Sequence, residues 1–219
     1  MQKNNALILT EGIADIIFLR DYLTFLNPQL EIVEPSRKEK GKVIKLKADN
    51  QIITIRFTDG YTNIQNQKST IEQFEDKMNK ILVIQDADDN SKNHGGYKNR
   101  IEYLNSIKDA ENIKFETFLF PNNNDDGDLE TLLLRIVEPQ KFNSININYK
   151  NYAQLEGKLG YGYEKELLED KSIVFNYLRT QYGMSNSSER NRVYCQTSWQ
   201  FGSNNLEKLK TFFVKNNII

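Results

Sequence analysis

The chain predicts an α/β fold, a mostly parallel sheet flanked by helices, with a helical extension at the carboxyl terminus. Three observations carry that expectation. A short apolar strand, "NALILT", passes through Glu11-Gly12 into a helix-patterned run, and strand-turn-helix with a glycine at the turn is how parallel sheets commonly begin. "ILVIQ", residues 81–85, is a continuous apolar run of the kind an interior parallel strand shows. Strand-like and helix-like segments then alternate up to about residue 137, with connection lengths that favour right-handed crossovers.

The elements follow in order. After the first strand, Ile13, Ile16, Ile17, Leu19, Leu23 and Leu26 recur at helical spacing until Pro28 stops the pattern. Residues 30–58 hold strand candidates around "EIVEP", "KVIKL" and "IITIRF", where Ile53, Ile55 and Phe57 alternate as in a half-buried strand. "STIEQFEDKMNK" predicts a helix capped by Ser69 or Thr70 with an acidic first turn. "GYKNRIEYLNSIKDA" reads as helix, "IKFETFLF" as strand, and "GDLETLLLRIV" as a helix with Asp128 placed to cap it. The expected order is β-α-β-α-β-α-β-α, with one extra strand or hairpin near residues 32–47. Residues 1–137 form the sheet domain in this reading. Residues 138–219, polar and rich in Asn and Tyr, form a helical or irregular extension packed on it, with helices at "KSIVFNYLRTQYG" and "NLEKLKTFFVKN".

The totals exclude several classes. With 219 residues, 38% hydrophobic and 27% charged, the chain suits one good-sized globular core. Lys and Arg number 29 against 30 for Asp and Glu, so the net charge of -1 exerts no whole-molecule pull on nucleic acid, and any such binding must come from a local patch. The single cysteine, Cys195, excludes an internal disulfide and suits a reducing cytoplasm. "ALIL" is too short for the apolar region of a signal peptide. No apolar run approaches the ~20 residues that cross a bilayer. A cytoplasmic protein with no membrane partner is expected.

Two apolar strands end in acid. "ALILT" leads to Glu11, and "ILVIQ" runs into "DADDN", with Asp86, Asp88 and Asp89. A third, "IKFETFLF", runs into "PNNNDDGDLE", which supplies Asp125, Asp126, Asp128 and Glu130. Ligands of open parallel sheets bind beyond the carboxyl ends of the strands, so parallel neighbouring strands would gather these acids on one rim. Crowded carboxylates repel, and they are relieved by protonation or by a shared cation. A hard divalent ion, Mg²⁺ or Mn²⁺, suits such oxygen ligands. Asp86 and Asp88, two apart at a strand end, start on the same side and could face one ion.

"TEGIAD" after the first strand and "DADD" after a later one resemble the two signatures of the Toprim family, shared by topoisomerases, primases, overcoming-lysogenisation-defect nucleases and small stand-alone proteins. Glu11 matches the Toprim glutamate, and Asp86 and Asp88 match the paired aspartates. The resemblance extends to about residue 137. "FPNNNDDGDLETLL" and "SWQFGSNNLEKLKTFF" further look like a stand-alone group within that family, which makes Glu130 an additional site candidate. What the resemblance implies is metal-dependent cleavage of nucleic-acid phosphodiesters. The paired aspartates would hold Mg²⁺, and Glu11 would act as general acid/base or as a further ligand. Asp15, one helical turn on, would orient a metal-bound water or simply decorate the helix start. The chain departs from the larger members. It has no tyrosine in a topoisomerase nucleophile context, no zinc-ligand cluster and no Walker motif.

Other features have competing explanations. An Asp-x-Asp after a buried strand also occurs in haloacid-dehalogenase-like phosphatases, but Asn90 stands where those enzymes usually carry Thr or Val. A regulatory or binding module that keeps the acids without turnover is a third reading. The basic run "SRKEKGKVIKLK" either follows a phosphate backbone or is a solvated edge that blunts strand pairing. "SSERNRVYCQTSWQF" mixes Arg190 and Arg192 with Tyr194, Trp199 and Phe201, which suits base stacking or pins the tail to the core. Asp89 and His94 read as solvated loop residues, Cys195 as inert, and Gly127 as serving loop geometry.

Overall fold

The computed structural model describes residues 4–33, 41–75, 80–160, 162, 164–183, 192–194 and 196–219. One sheet is built from β1 (Asn4–Thr10), β2 (Glu31–Val33), β3 (Val43–Ala48), β4 (Gln51–Phe57), β5 (Lys80–Asp86) and β6 (Glu116–Phe120). Its order is β2-β3-β4-β1-β5-β6. The four strands β4, β1, β5 and β6 run parallel to one another. The added strands β2 and β3 pair antiparallel with each other and with β4. The expected class and the extra strand pair are therefore both present.

β1 sits inside the sheet because both of its faces are apolar. Ala6 and Ile8 enter one buried layer, and Leu7 and Leu9 enter the other. β5 repeats this, with Leu82 and Ile84 on the first side and Ile81 and Val83 on the second. The first layer is covered by α1 (Ile13–Leu26), α4 (Leu129–Ile136), α7 (Asp170–Tyr182) and α8 (Glu207–Lys215). The second is covered by α2 (Lys68–Glu75) and α3 (Tyr97–Glu111). Each fully buried large apolar side chain contributes on the order of 1.5–3 kcal/mol.

The carboxyl-terminal residues share the first layer. Tyr194, Trp199 and Phe201 are buried. Tyr194 and Phe201 stand edge-on to Phe18, and Trp199 stands edge-on to Tyr177. The Tyr194 N–H donates to Asp21 Oδ2 at 2.7 Å, and the Gln200 N–H donates to the Ile136 carbonyl at 2.6 Å. These aromatics pin the tail to the core. Arg190 and Cys195 lie outside the described residues, as do Arg37, Lys38 and Lys40.

Three local expectations are corrected. A 3-10 segment at Tyr61–Gln67 runs straight into α2, so its turns precede Lys68 and no open helix start exists for Ser69 or Thr70 to cap. No acid occupies the first turn of α2. Of the described part of the basic run, Lys45 and Lys47 stand on β3, between β2 and β4, and not at a sheet edge. The Asn- and Tyr-rich stretch after residue 138 is not irregular. It forms α5 (Pro139–Lys158), followed by the short α6 (Glu164–Leu167). Among the described residues, no helix is long and apolar enough to cross a membrane.

Candidate functional site

β1 and β5 are parallel neighbours, so the residues that follow them emerge at the same edge of the sheet. Glu11 comes directly after β1 and Asp86 ends β5. The Gly12 N–H donates to Asp15 Oδ2 at 2.8 Å, which turns the Asp15 carboxylate back toward the strand end. Asp86 Oδ1 accepts from the Leu129 N–H at 2.9 Å, using one of the open donors at the start of α4. Asp128 caps that helix as expected, accepting from the Thr131 N–H at 2.9 Å. Glu130 follows in the first turn of α4, which brings it to the same edge.

These elements enclose a pocket of about 350 Å³ lined by Glu11, Asp15, Asp86, Glu130, Lys171 and Arg192. Four carboxylates thus face two cations. Lys171 comes from α7, whose first residue, Asp170, lies 3.0 Å from the Thr131 hydroxyl and ties α7 to α4. Arg192 Nη1 lies 3.6 Å from Glu130 Oε1. Neither cation was singled out from the sequence as a pocket residue. Each sits far along the chain from the acids, Lys171 in a helix with no site signature and Arg192 in a basic and aromatic stretch that does not point to them.

The electrostatics follow from crowding in a dry place. Burial pushes the Asp15 carboxyl up from its ordinary 3.8 to about 8, against the Gly12 N–H bond and with help from Glu11 and Glu130. Burial also holds Asp86 well above its ordinary value, with Asp15, Glu11, Asp128 and Glu130 adding repulsion. Glu11 is raised by burial and then by Asp88, and Glu130 by burial and then by Asp128. Burial lowers the Lys171 ammonium, but Glu130, Asp86, Asp128 and Asp88 outweigh it and hold the group above its usual range. Glu11 Oε2 is buried without a hydrogen-bond partner.

Asp88 departs from the expected arrangement. Its φ of 59 breaks the strand's alternation, so its side chain does not share a direction with Asp86. Asp88 and Gly127 instead form a two-way bridge, with N–H to carbonyl distances of 2.7 and 2.9 Å. Gly127 has φ +133, a conformation that L side chains rarely adopt, and it thereby serves the loop as expected. The Asp88 carboxylate accepts from Arg100 Nη2 at 2.6 Å and from Lys92 Nζ. Arg100 is wholly buried, and its guanidinium carbon lies 3.7 Å from the centroid of the Tyr61 ring. Asp88 remains an electrostatic neighbour of Glu11 but does not line the pocket.

Further acids of the "NNNDDGD" loop serve structure. Asp126 accepts from the Tyr97 N–H at 2.7 Å at the start of α3 and from Asn90 Nδ2 at 2.6 Å. Asp125 pairs with Arg135 at 3.3 Å. Asp89 holds the Ser91 N–H at 2.7 Å on an exposed turn, and His94 stacks on Tyr103 with centroids 4.4 Å apart.

Among the described residues, no three His, Cys, Asp or Glu side chains form a ready-made chelating group. The donor chemistry nevertheless fits a hard divalent cation. Oxygen ligands predominate, like charges are crowded, and the partnerless Glu11 Oε2 has a lone pair to give. Mg²⁺ also retains several waters, so it does not require an all-protein cage.

Fold and site together define an α/β protein with an acidic pocket at the carboxyl edge of a mostly parallel sheet. The chain belongs to the family described as protein of unknown function DUF3226, whose model matches residues 5–216. No curated protein matches it. Among solved structures, a hypothetical protein from Pyrococcus horikoshii OT3 is 16% identical with a TM-score of 0.49, over 98% of this chain and 95% of that one. A futalosine hydrolase mutant of Helicobacter pylori strain 26695 is 12% identical with a TM-score of 0.26, over 39% of this chain and 37% of that one.

Proposed function

We propose that this protein is a Toprim-like, divalent-metal-dependent enzyme that cleaves phosphodiester bonds of nucleic acid in the cytoplasm. The observation that carries the reading is the meeting of Glu11, Asp15, Asp86 and Glu130 in one pocket, from three separated parts of the chain. Glu11, Asp86 and Glu130 would hold Mg²⁺ or Mn²⁺. When bound, the ion supplies neutralisation of charge developing on the phosphate. Asp88 lies behind Glu11, held by Arg100 and Lys92. It joins the ligands only by giving up the exposed Lys92.

The chain's own residues supply the rest. Asp15 keeps its proton up to about pH 8 and so can hand it to a leaving oxygen at neutral pH. Lys171 stays charged beside the acids and can pair with a phosphate oxygen. Where Asp86 and Glu130 alone hold the ion, Glu11 Oε2, free of partners, can instead take a proton from water.

A second reading has its own support. Arg192, Lys171, Arg100 and Lys92 already compensate part of the acidic charge, as in a binding module without turnover. One experiment separates the two. Single- and double-stranded DNA and RNA are incubated with Mg²⁺ or Mn²⁺ and the wild-type, Asp86→Asn or Asp88→Asn protein. Metal-dependent cleavage lost in Asp86→Asn supports the enzyme. Thermal stabilisation by Mn²⁺ without cleavage supports the module, and cleavage surviving both substitutions defeats the mechanism.

A further inference from the structure

A second cavity, of about 850 Å³, opens between α5 and α7. It adjoins the acidic pocket, since Ser172 and Phe175 line both. Its chemistry is the reverse of that pocket's. No carboxylate is among the described residues that line it, and Arg179 brings a positive charge. Three rings, Tyr149, Tyr152 and Phe175, share it with the amides of Asn148 and Asn176.

The placement follows from helix geometry. Asn148, Tyr149 and Tyr152 fall on one face of α5, and Ser172, Phe175, Asn176 and Arg179 on one face of α7. The two helices are joined nearby by the edge-on contact of Phe142 with Tyr177 at 5.5 Å. The rings are not core. Tyr152 is 51% exposed and Phe175 41% exposed, whereas Tyr177, two residues after Phe175, is buried at 1%.

We infer that this cleft binds unpaired bases of a single-stranded nucleic acid whose backbone continues into the acidic pocket. The aromatic faces would take the bases by stacking, which serves any base because each has a π-face. Asn148 and Asn176 offer donors and acceptors to base edges, and Arg179 offers its guanidinium to a neighbouring phosphate. The volume lies in the range of small-molecule and cofactor sites, ~300–1,000 Å³, which is room for a nucleotide or two and not for a duplex. Stacking needs exposed base faces, so paired strands are excluded from the cleft. This inference rests on the reading of the acidic pocket as a phosphodiester site, but its readout is binding.

The test is fluorescence anisotropy of labelled oligothymidylate, an RNA of the same length, and a duplex, titrated with full-length protein in EDTA so that cleavage does not intervene. The single strands should bind at least about tenfold tighter than the duplex, and Tyr149→Ala with Tyr152→Ala should weaken them by roughly tenfold per ring. Tyr149→Phe with Tyr152→Phe keeps the rings and should bind like the wild type, which separates stacking from misfolding. Because binding is read in EDTA, its failure bears on the cleft, whereas failure of metal-dependent cleavage bears on the acidic pocket. Equal affinity for duplex, an unchanged affinity in the Ala pair, or equal loss in the Phe pair overturns the inference. So does a dimer in sedimentation that Tyr152→Ala dissociates, since a second copy would then fill the cleft.

Discussion

Raising the pH should destabilise this protein across the neutral range, and Asp15→Asn should flatten the effect. The Asp15 carboxyl is held at about 8 in the folded chain, against 3.8 in the open one. Between those values the native state holds a proton that the unfolded chain has released. Because the unfolded state binds fewer protons, stability is complete below the unfolded value, falls as pH rises, and levels off above the folded one. One retained proton amounts to about 1.4 kcal/mol per pH unit, so the step from pH 5.5 to 7.5 removes about 3 kcal/mol. Asn at position 15 keeps an oxygen to accept the Gly12 N–H, now bonded at 2.8 Å, but has no proton to lose. Urea unfolding followed by circular dichroism at several pH values measures this directly. The difference between the wild-type and Asp15→Asn curves should grow by about 1.4 kcal/mol per pH unit, since Asp86 titrates in both. Parallel curves would show that Asp15 ionises normally, and the proton-donor role would go with them.

Two further outcomes follow. Arg100→Met should destabilise by about 3 kcal/mol, because it strands the buried Asp88 carboxylate 2.6 Å from a lost guanidinium with only the exposed Lys92 left. Adding Asp88→Asn should recover much of that loss in a double-mutant cycle, and strict additivity would refute the coupling. Asp128→Ala should cost about 1 kcal/mol through the lost cap on α4, read as a lower urea midpoint with unchanged slope.

How much of this was legible depends on how local each signal is. β5 was readable because an interior parallel strand is apolar on both faces, and "ILVIQ" shows no alternation to confuse it. The Asp128 cap was readable because its partner, Thr131, is three residues away. α5 was not, because its Asn, Tyr and Ile residues are indifferent helix formers and only Ala153 is buried, so no apolar stripe marks its face. Pro139 at its first turn was the one available signal. Glu11 and Asp86 were legible as strand-end acids, but the direction of Asp88 was not. Its left-handed backbone answers to Gly127, and Gly127 belongs to a loop entering from β6. Lys171 was invisible for the same reason, and Arg192, legible only as part of a basic and aromatic stretch, could not be placed, since only tertiary packing brings them to the acids.

The division of labour among the charges bears on why the acids are there. Lys92 and Arg100 claim Asp88, and Arg192 claims Glu130. Asp126 and Asp128 are consumed by helix starts. That leaves Glu11, half-buried, with Asp15 and Asp86, both buried, all three held above their ordinary pKa values and Lys171 shared among their neighbours. A fold that needed only satisfied polar groups there could use Asn or Gln and avoid the repulsion, because the bonds from Gly12 and Leu129 require only an accepting oxygen. Three carboxylates that raise the energy of the fold make sense where something positive arrives to relieve them. A proton relieves Asp15 below about pH 8, and the proposed divalent cation would relieve the group more completely. Local conflict with stability, concentrated at one edge of an otherwise consistent sheet, is the pattern that a working site leaves in a fold.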